Sequence, residues 1–248
     1  MRSGEELTFF QTFFVRFYQA FIEKDRWLQY LEGMGTTLVV TAMALAIGVF
    51  LGVIVAVIRT AHDQQRPGTG NIIARSILGF ANLICKIYVT IIRGTPMMVQ
   101  MLIMGMVIFT SSRDFTSIGA LTLGINSGAY VAEIIRGGLM SLDPGQAEAS
   151  RSLGLNYIDT MRFVVIPQAF KAILPSLGNE FIILLKDTSL ITVIGGKELL
   201  HAAQGIYGRT YDQMYPLLGI AIMYLILVMI FSWLQGILER RLRQSDRR

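Results

Sequence analysis

The chain has one cysteine, two histidines and few charges for its 248 residues. One thiol cannot close an internal disulfide, so Cys85, set in an apolar run, reads as a small packed residue. His62 and His201 stand alone, and no histidine cluster or His-Glu metal motif appears. That speaks against a membrane-embedded enzyme and against a metal site. Charged residues make up 16% of the chain, against about 25% in soluble domains. A G-x-x-x-x-G-K-[ST] phosphate loop is also missing; the "GGKE" at 195–198 lacks both the preceding glycine and the hydroxyl residue. No secretory signal is expected, because Glu5 and Glu6 fall among the first residues and no apolar core ends in a small-residue cleavage site.

What the chain does have is apolar surface. Hydrophobic residues are 53% of it, and mean hydropathy is +0.53. The net charge of +5 fits basic residues crowding the cytoplasmic ends of membrane spans better than it fits a nucleic-acid partner. Stretches of about 20 mainly apolar residues can cross a bilayer. The pattern gives an all-α polytopic membrane protein with five spans. The first is 33–58, rich in the small residues that suit close helix packing in lipid. Over 72–109 the first half carries Arg75, Lys86 and Arg93 and is placed in or near the cytoplasmic interface, while "PMMVQMLIMGMVIF" crosses. The remaining spans are 118–139, 173–194 and 215–238. The polar loop "RTAHDQQRPGTGN" around Pro67, a short turn at 111–116 and a glycine-containing loop at 195–216 join them. Ahead of the spans, Phe10, Phe13, Phe14, Phe17 and Phe21 recur at helical steps, interrupted by Arg16, Glu23, Lys24 and Asp25. Residues 1–32 thus read as an amphipathic segment in the interface, or packed on the bundle. Residues 33–240 form the transmembrane domain and 241–248 a basic tail. Five spans put the termini on opposite sides. With the C-terminus inside, 14 of the 22 basic residues lie inside and 7 outside, with Lys186 within a span. The expected topology is therefore N-terminus out, C-terminus in.

That topology places "DPGQAEASRSLGLNYIDTMRFVVIP", 143–167, in the cytoplasm. Asp143 is an N-cap, Pro144 suits the first helical position and Gln146 sits at the capping-box position. A helix runs to Leu153, and Gly154 stops it in the left-handed conformation. Asn156 caps a second helix with Asp159 in its first turn, ending near Ile166 before Pro167. Ala147, Ala149 and Ser150 let another backbone come close, and Glu148 and Arg151 can pair at three residues' spacing. Spacing alone leaves open whether this helix pair docks a partner or packs on its own bundle.

"EASRSLGLNYIDTMRFVVIP" resembles the coupling loop of ATP-binding-cassette (ABC) importer permeases, written EAA---G---------I-LP. Glu148 and Ala149 match, Ser150 replaces the second alanine, Gly154 keeps the interval, and Val164, Ile166 and Pro167 end the motif. "RGTPMMVQ", "NSGAYVAEIIRGG" and "LPSLGNEFIILLKDTSL" are similar to the polar amino acid permease subfamily. The resemblance implies a type I importer permease without enzymatic activity of its own. Its implied partners are two ATPase subunits carrying ATP and magnesium, a second permease subunit, identical or paralogous, an extracytoplasmic binding protein and a polar amino acid. It implies a prokaryotic inner membrane location. ATPase coupling would fall to Glu148, Ala149, Ser150, Gly154 and Pro167.

Polar groups in lipid cost roughly 2.5–3.5 kcal/mol for a mid-span charge and need a reason. Asn126, Tyr130 and Glu133 share one helix face, Glu180 and Asp187 another, with Asn179 and Lys186 beside it. Gln100, Asn126 and Tyr130 read as a substrate path. The resemblance adds Asp187, Thr188 and Ser189, since "KDTSL" lies near the path in that family. Glu133 pairs with Arg136 or serves function. Adjacent Lys186 and Asp187 need partners on other spans or on a second subunit. Met97, Met101 and Met104 form a stripe that reads as packing or as a path lining. Gly94, Thr95 and Pro96 mark a kink, static or gating. The competing function is a secondary transporter or channel using Glu133, Glu180 or Asp187 as ion sites; it calls for internal repeats, and none is seen.

Overall fold

The computed structural model describes residues 9–65 and 71–245. The first eight residues, residues 66–70 around Pro67 and the last three residues of the basic tail lie outside the described residues. The described chain is helical, in the order α1 (Phe9–Phe21), α2 (Arg26–Asp63), α3 (Ile72–Gly94), α4 (Met97–Ile103), α5 (Phe115–Met140), α6 (Pro144–Ser152), α7 (Tyr157–Thr160), α8 (Ile166–Asp187), α9 (Leu199–Thr210) and α10 (Met214–Ser245).

Small residues set the centre of the bundle. On α2 the buried positions Gly33, Thr37, Val40, Ala44, Gly48, Gly52 and Ala56 repeat at three and four residues, one face of a helix. That face lies on α5, the most buried span: 61% of its apolar window is covered, against 17% for α3 and 11% for α10. The contact is close because glycines face side chains. A methyl group at Gly124 would stand 2.6 Å from Ile47 Cβ, and one at Gly52 would stand 2.7 Å from Val131 Cβ. Gly48 meets Ser127 and Gly128 meets Leu51, so the two helices advance together and are parallel. α8 returns antiparallel to α5, with Ile173 against Gly138 and Glu180 bonded to Ser127. α10 runs antiparallel to α8, with Gly178 against Gln235 and Phe181 4.7 Å from Phe231. The starts of α2, α5 and α10 therefore share one end of the bundle. Their ends share the other with α6 and α7.

Four described helices are long and apolar enough to cross a membrane: α2 with the turn before it, α3, α5 and α10. α8 has the length, at 22 residues, but carries Lys171, Asn179, Glu180, Lys186 and Asp187. The 72–109 region divides differently from expectation. Ile72–Gly94 is the long apolar helix, and Met97–Ile108 is the shorter piece. The reason is Pro96: it supplies no N–H, Thr95 goes extended at φ −120°, ψ 147°, and the helix stops. Contacts of α3 fall on the middle and second half of α5, through Tyr88, Val89 and Arg93. Those of α4 fall beside the first half, where Met101 joins Ile118, Ala120 and Leu123. Met101 is fully buried, and Met97 and Met104 pack around it, so the methionine stripe is core packing.

Two further boundaries depart from the sequence reading. The second helix of the 143–167 stretch does not end at Ile166. It runs from α7 through a π-turn, Met161–Val165, straight into α8. The wider turn loosens the i→i−4 ladder just before Pro167, which lacks the donor that ladder would use. The 195–216 loop contains α9, whose N-cap is Glu198. The aromatic segment forms α1. Phe13 packs 5.6 Å from Tyr215 and Phe21 5.3 Å from Tyr30, while Phe10 and Phe14 stay 72% and 67% exposed.

Candidate functional site

The elbow at 143–165 is built by its caps. The Asp143 carboxylate accepts from Gly145 N at 2.9 Å, and Asn156 Oδ1 accepts from Asp159 N at 2.9 Å. Gly154, at φ +89°, separates the two helices. Gln146 does not complete a capping box in the expected way; its Oε1 accepts from Gln168 at 3.4 Å. Arg151 does not pair with Glu148, and its Nε donates to Ala147 O at 3.0 Å. Ser150 is buried, donating to Ala147 O and lying 3.2 Å from the Thr160 hydroxyl, so it binds the two coupling helices to each other. Glu148, Ala149 and Pro167 are exposed. At the tip, Leu153 and Ile158 are 85% and 72% exposed, an apolar surface that water covers poorly.

The kink and two of the residues read as a substrate path, Gln100 and Asn126, form one chain of hydrogen bonds. Asn126 Nδ2 donates to Gln100 Oε1 at 2.9 Å. Gln100 Nε2 donates to Ile92 O at 2.8 Å, to Thr95 Oγ1 at 2.8 Å and to Thr95 O at 3.2 Å. Pro96 leaves carbonyls of the last α3 turn without helical donors, and Gln100 reaches back to satisfy them. Gly94 and Thr95 lie exposed at this break. Tyr130 is 38% exposed, with the Arg93 guanidinium 5.3 Å from its ring centroid. Asp187 is half-buried and Lys186 exposed, and neither makes an ion pair among the described residues. Thr188 is fully buried and donates to Leu185 O, whereas Ser189 is half-buried and donates to Lys186 O. Gln100 and Asn126 are therefore joined directly, while Asp187, Thr188 and Ser189 sit apart at the end of α8.

Glu133 is held by arginines. It bonds Arg59, and its oxygens lie 3.8 Å from Arg136 and 3.9 Å from Arg93. The pairing reading holds and extends across α2, α3 and α5. Glu180 is buried and accepts the Ser127 hydroxyl at 2.7 Å.

The residue sequence reasoning missed is Glu198. It is 1% exposed and accepts from Thr192 Oγ1 at 2.5 Å, Tyr224 OH at 2.6 Å and His201 N at 2.9 Å. Leu199 N donates to Thr37 Oγ1 at 3.3 Å, and Gly33 leaves room for the backbone of Glu198 and Leu199. This knot ties α2, α9 and α10 together at the end opposite the elbow. The available signal was a glutamate three residues ahead of a helical amide in an apolar run. At the same end Asp114 caps α5. Hydrogen bonds from the Ser117 hydroxyl and amide hold its carboxyl below the usual carboxylate range.

With an exposed helical elbow at one end of a polytopic bundle, the comparisons become decisive. Residues 68–244 match the family described as binding-protein-dependent transport system inner membrane component. The chain belongs to that family. The permease is 35% identical over 218 residues to the glutamine transport system permease protein GlnP of Escherichia coli strain K12, covering 86% of this chain and 92% of that protein. It is 32% identical over 221 residues to the arginine transport system permease protein ArtQ of Bacillus subtilis strain 168, covering 87% and 93%. A solved chain described as an amino acid ABC transporter with histidines superposes with a TM-score of 0.75 at 36% identity, covering 96% of this chain and 100% of that one. The inward-facing MetNI methionine ABC transporter, at 20% identity and a TM-score of 0.70, shares the fold. This is a membrane permease subunit of an ABC importer with the type I fold, not an enzyme. Its family implies a separate ATPase, a binding protein and a permease partner.

Proposed function

We propose that the permease carries a polar amino acid across a prokaryotic inner membrane, through a path shared between two permease subunits. Residues 33–240 form the transmembrane domain with five spans, counting α8 and taking α3 with α4 as one passage. Residues 1–32 are an interfacial appendage and 241–248 a cytoplasmic tail. The N-terminus lies outside and the C-terminus inside. An extracytoplasmic binding protein delivers substrate at 111–116 and 195–216. Two ATPase subunits bind ATP and magnesium and press on the elbow at Glu148, Ala149, Gly154 and Pro167, while buried Ser150 holds its two helices together. Gln100, Asn126, Tyr130, Asp187, Thr188 and Ser189 line or border the path, and Gly94, Thr95 and Pro96 bend it.

The observation that carries this reading is the unbroken helical course from α7 into α8. A push on the exposed elbow has a stiff element to travel along, and that element ends at Lys186 and Asp187. Unpaired among the described residues, these two charges are available to a second subunit or to substrate. Relatives that carry glutamine and arginine support a polar amino acid.

The test is uptake into vesicles holding the complete importer, with a panel of labelled amino acids. Uptake of a polar amino acid should require internal ATP and external binding protein. Uptake that persists without nucleotide and collapses with an uncoupler would replace this reading with secondary transport.

A further inference from the structure

The coupling helices do not close on the helices behind them. A cavity of about 1040 Å³ separates α6 and α7 from the end of α2 and the first turns of α3. Tyr157 OH spans it, donating to Gln64 Oε1 at 2.5 Å. The cavity is half open to the surroundings, and a recess this large with polar groups in its wall is a site for an occupant.

The wall indicates the chemistry of that occupant. Leu78, Leu139, Met161 and Val165 make part of it apolar, and Arg75 and Arg151 add two cations. Arg75 has no carboxylate within 4.0 Å among the described residues. Arg151 uses its Nε on Ala147 O, and its two terminal nitrogens have no partner among the described residues. The acid in the wall, Asp143, is turned toward Gly145 N. The cavity therefore carries surplus positive charge. Around Arg75, α3 exposes Ile72, Ile73, Ile77 and Phe80 at 77%, 67%, 65% and 66%. Such a face belongs against acyl chains, which sets Arg75 at headgroup depth.

We propose that this cavity holds the headgroup of an anionic phospholipid from the inner leaflet. Arg75 and Arg151 meet its phosphate, and its acyl chains lie along the apolar face of α3. The lipid braces the coupling helices against α3, so that the ATPase stroke passes into α8 instead of closing an empty space. The proposal rests on the cytoplasmic placement of the elbow given above.

The experiment is native mass spectrometry of the intact importer after equilibration with phosphatidylglycerol or phosphatidylcholine. The wild type should retain phosphatidylglycerol selectively. Arg75→Gln should lower that retention about fivefold, the loss of one cation beside an anionic headgroup. Arg75→Lys should keep most of it, and excess inorganic phosphate should not displace the lipid. Equal retention by Arg75→Gln, or the absence of selective retention, would overturn the proposal. Displacement by inorganic phosphate would overturn it too, in favour of a free-anion site. Retention is read without transport, so a complex that binds the lipid through Arg75 yet moves no amino acid would sink the transport reading alone.

Discussion

Gly154 shows how much one residue can decide. Its φ of +89° is a conformation that side chains resist, yet a methyl group added there would meet nothing within 4 Å. The requirement is therefore for backbone freedom and not for space. Gly154→Ala should cost the elbow about 1–2 kcal/mol, and Gly154→Asn less, because asparagine visits the left-handed region. Coupled ATPase activity of the assembled importer should fall in the order Gly, Asn, Ala, Val while the protein still inserts. Equal activity for Ala and Asn would show that the left-handed conformation is not what the elbow needs. Gln100 is a second case. Its amide closes the break that Pro96 opens, so its role at the kink does not depend on a substrate being present.

Among the elements, the α7–α8 arm is the one along which the proposed stroke would travel. The π-turn at Met161–Val165 holds one residue more than a regular helical turn would. Inserting an alanine after Phe170, in the regular helix beyond that turn, should rotate the elbow by about 100° relative to the rest of α8, the angle of one residue. The coupling helices would then face away from their partner. The expected result is normal membrane insertion, a normal yield of the permease and no ATPase co-purifying with it. Retention of the ATPase at the wild-type ratio would count against a rigid arm. The α2–α5 contact works differently. Its glycines bring two backbones together with little side-chain bulk between them, which in lipid supplies packing where the hydrophobic effect does not.

At the scale of the molecule, α2, α5 and α10 run in one direction and begin at the end that holds Glu198, Asp114 and α1. They finish at the end that holds the elbow. The orientation is open to direct labelling because the chain has a single thiol, Cys85, which is buried. On a Cys85→Ser background, Tyr211→Cys (Tyr211 is 94% exposed) should react with an impermeant maleimide in intact cells. Leu153→Cys should react only after permeabilisation. The reverse pattern would invert the topology, and with it the side on which the ATPase acts.

The sequence by itself determined the helical class, the apolar stretches, the elbow with its caps at Asp143 and Asn156, and the stop at Gly154. Each of these is local: hydropathy needs only a window of residues, and a cap needs only its own first turn. Tertiary structure alone decided which polar groups meet. Glu133 draws Arg59 and Arg93 from helices far away in the chain. Gln100 reaches Asn126, and Glu198 reaches Tyr224. It also decided that α7 continues into α8 past Pro167, because a π-turn accommodates a missing donor that a regular helix would not. Partners separated by tens of residues leave no period or spacing to read, and only the packed bundle brings them within hydrogen-bonding distance.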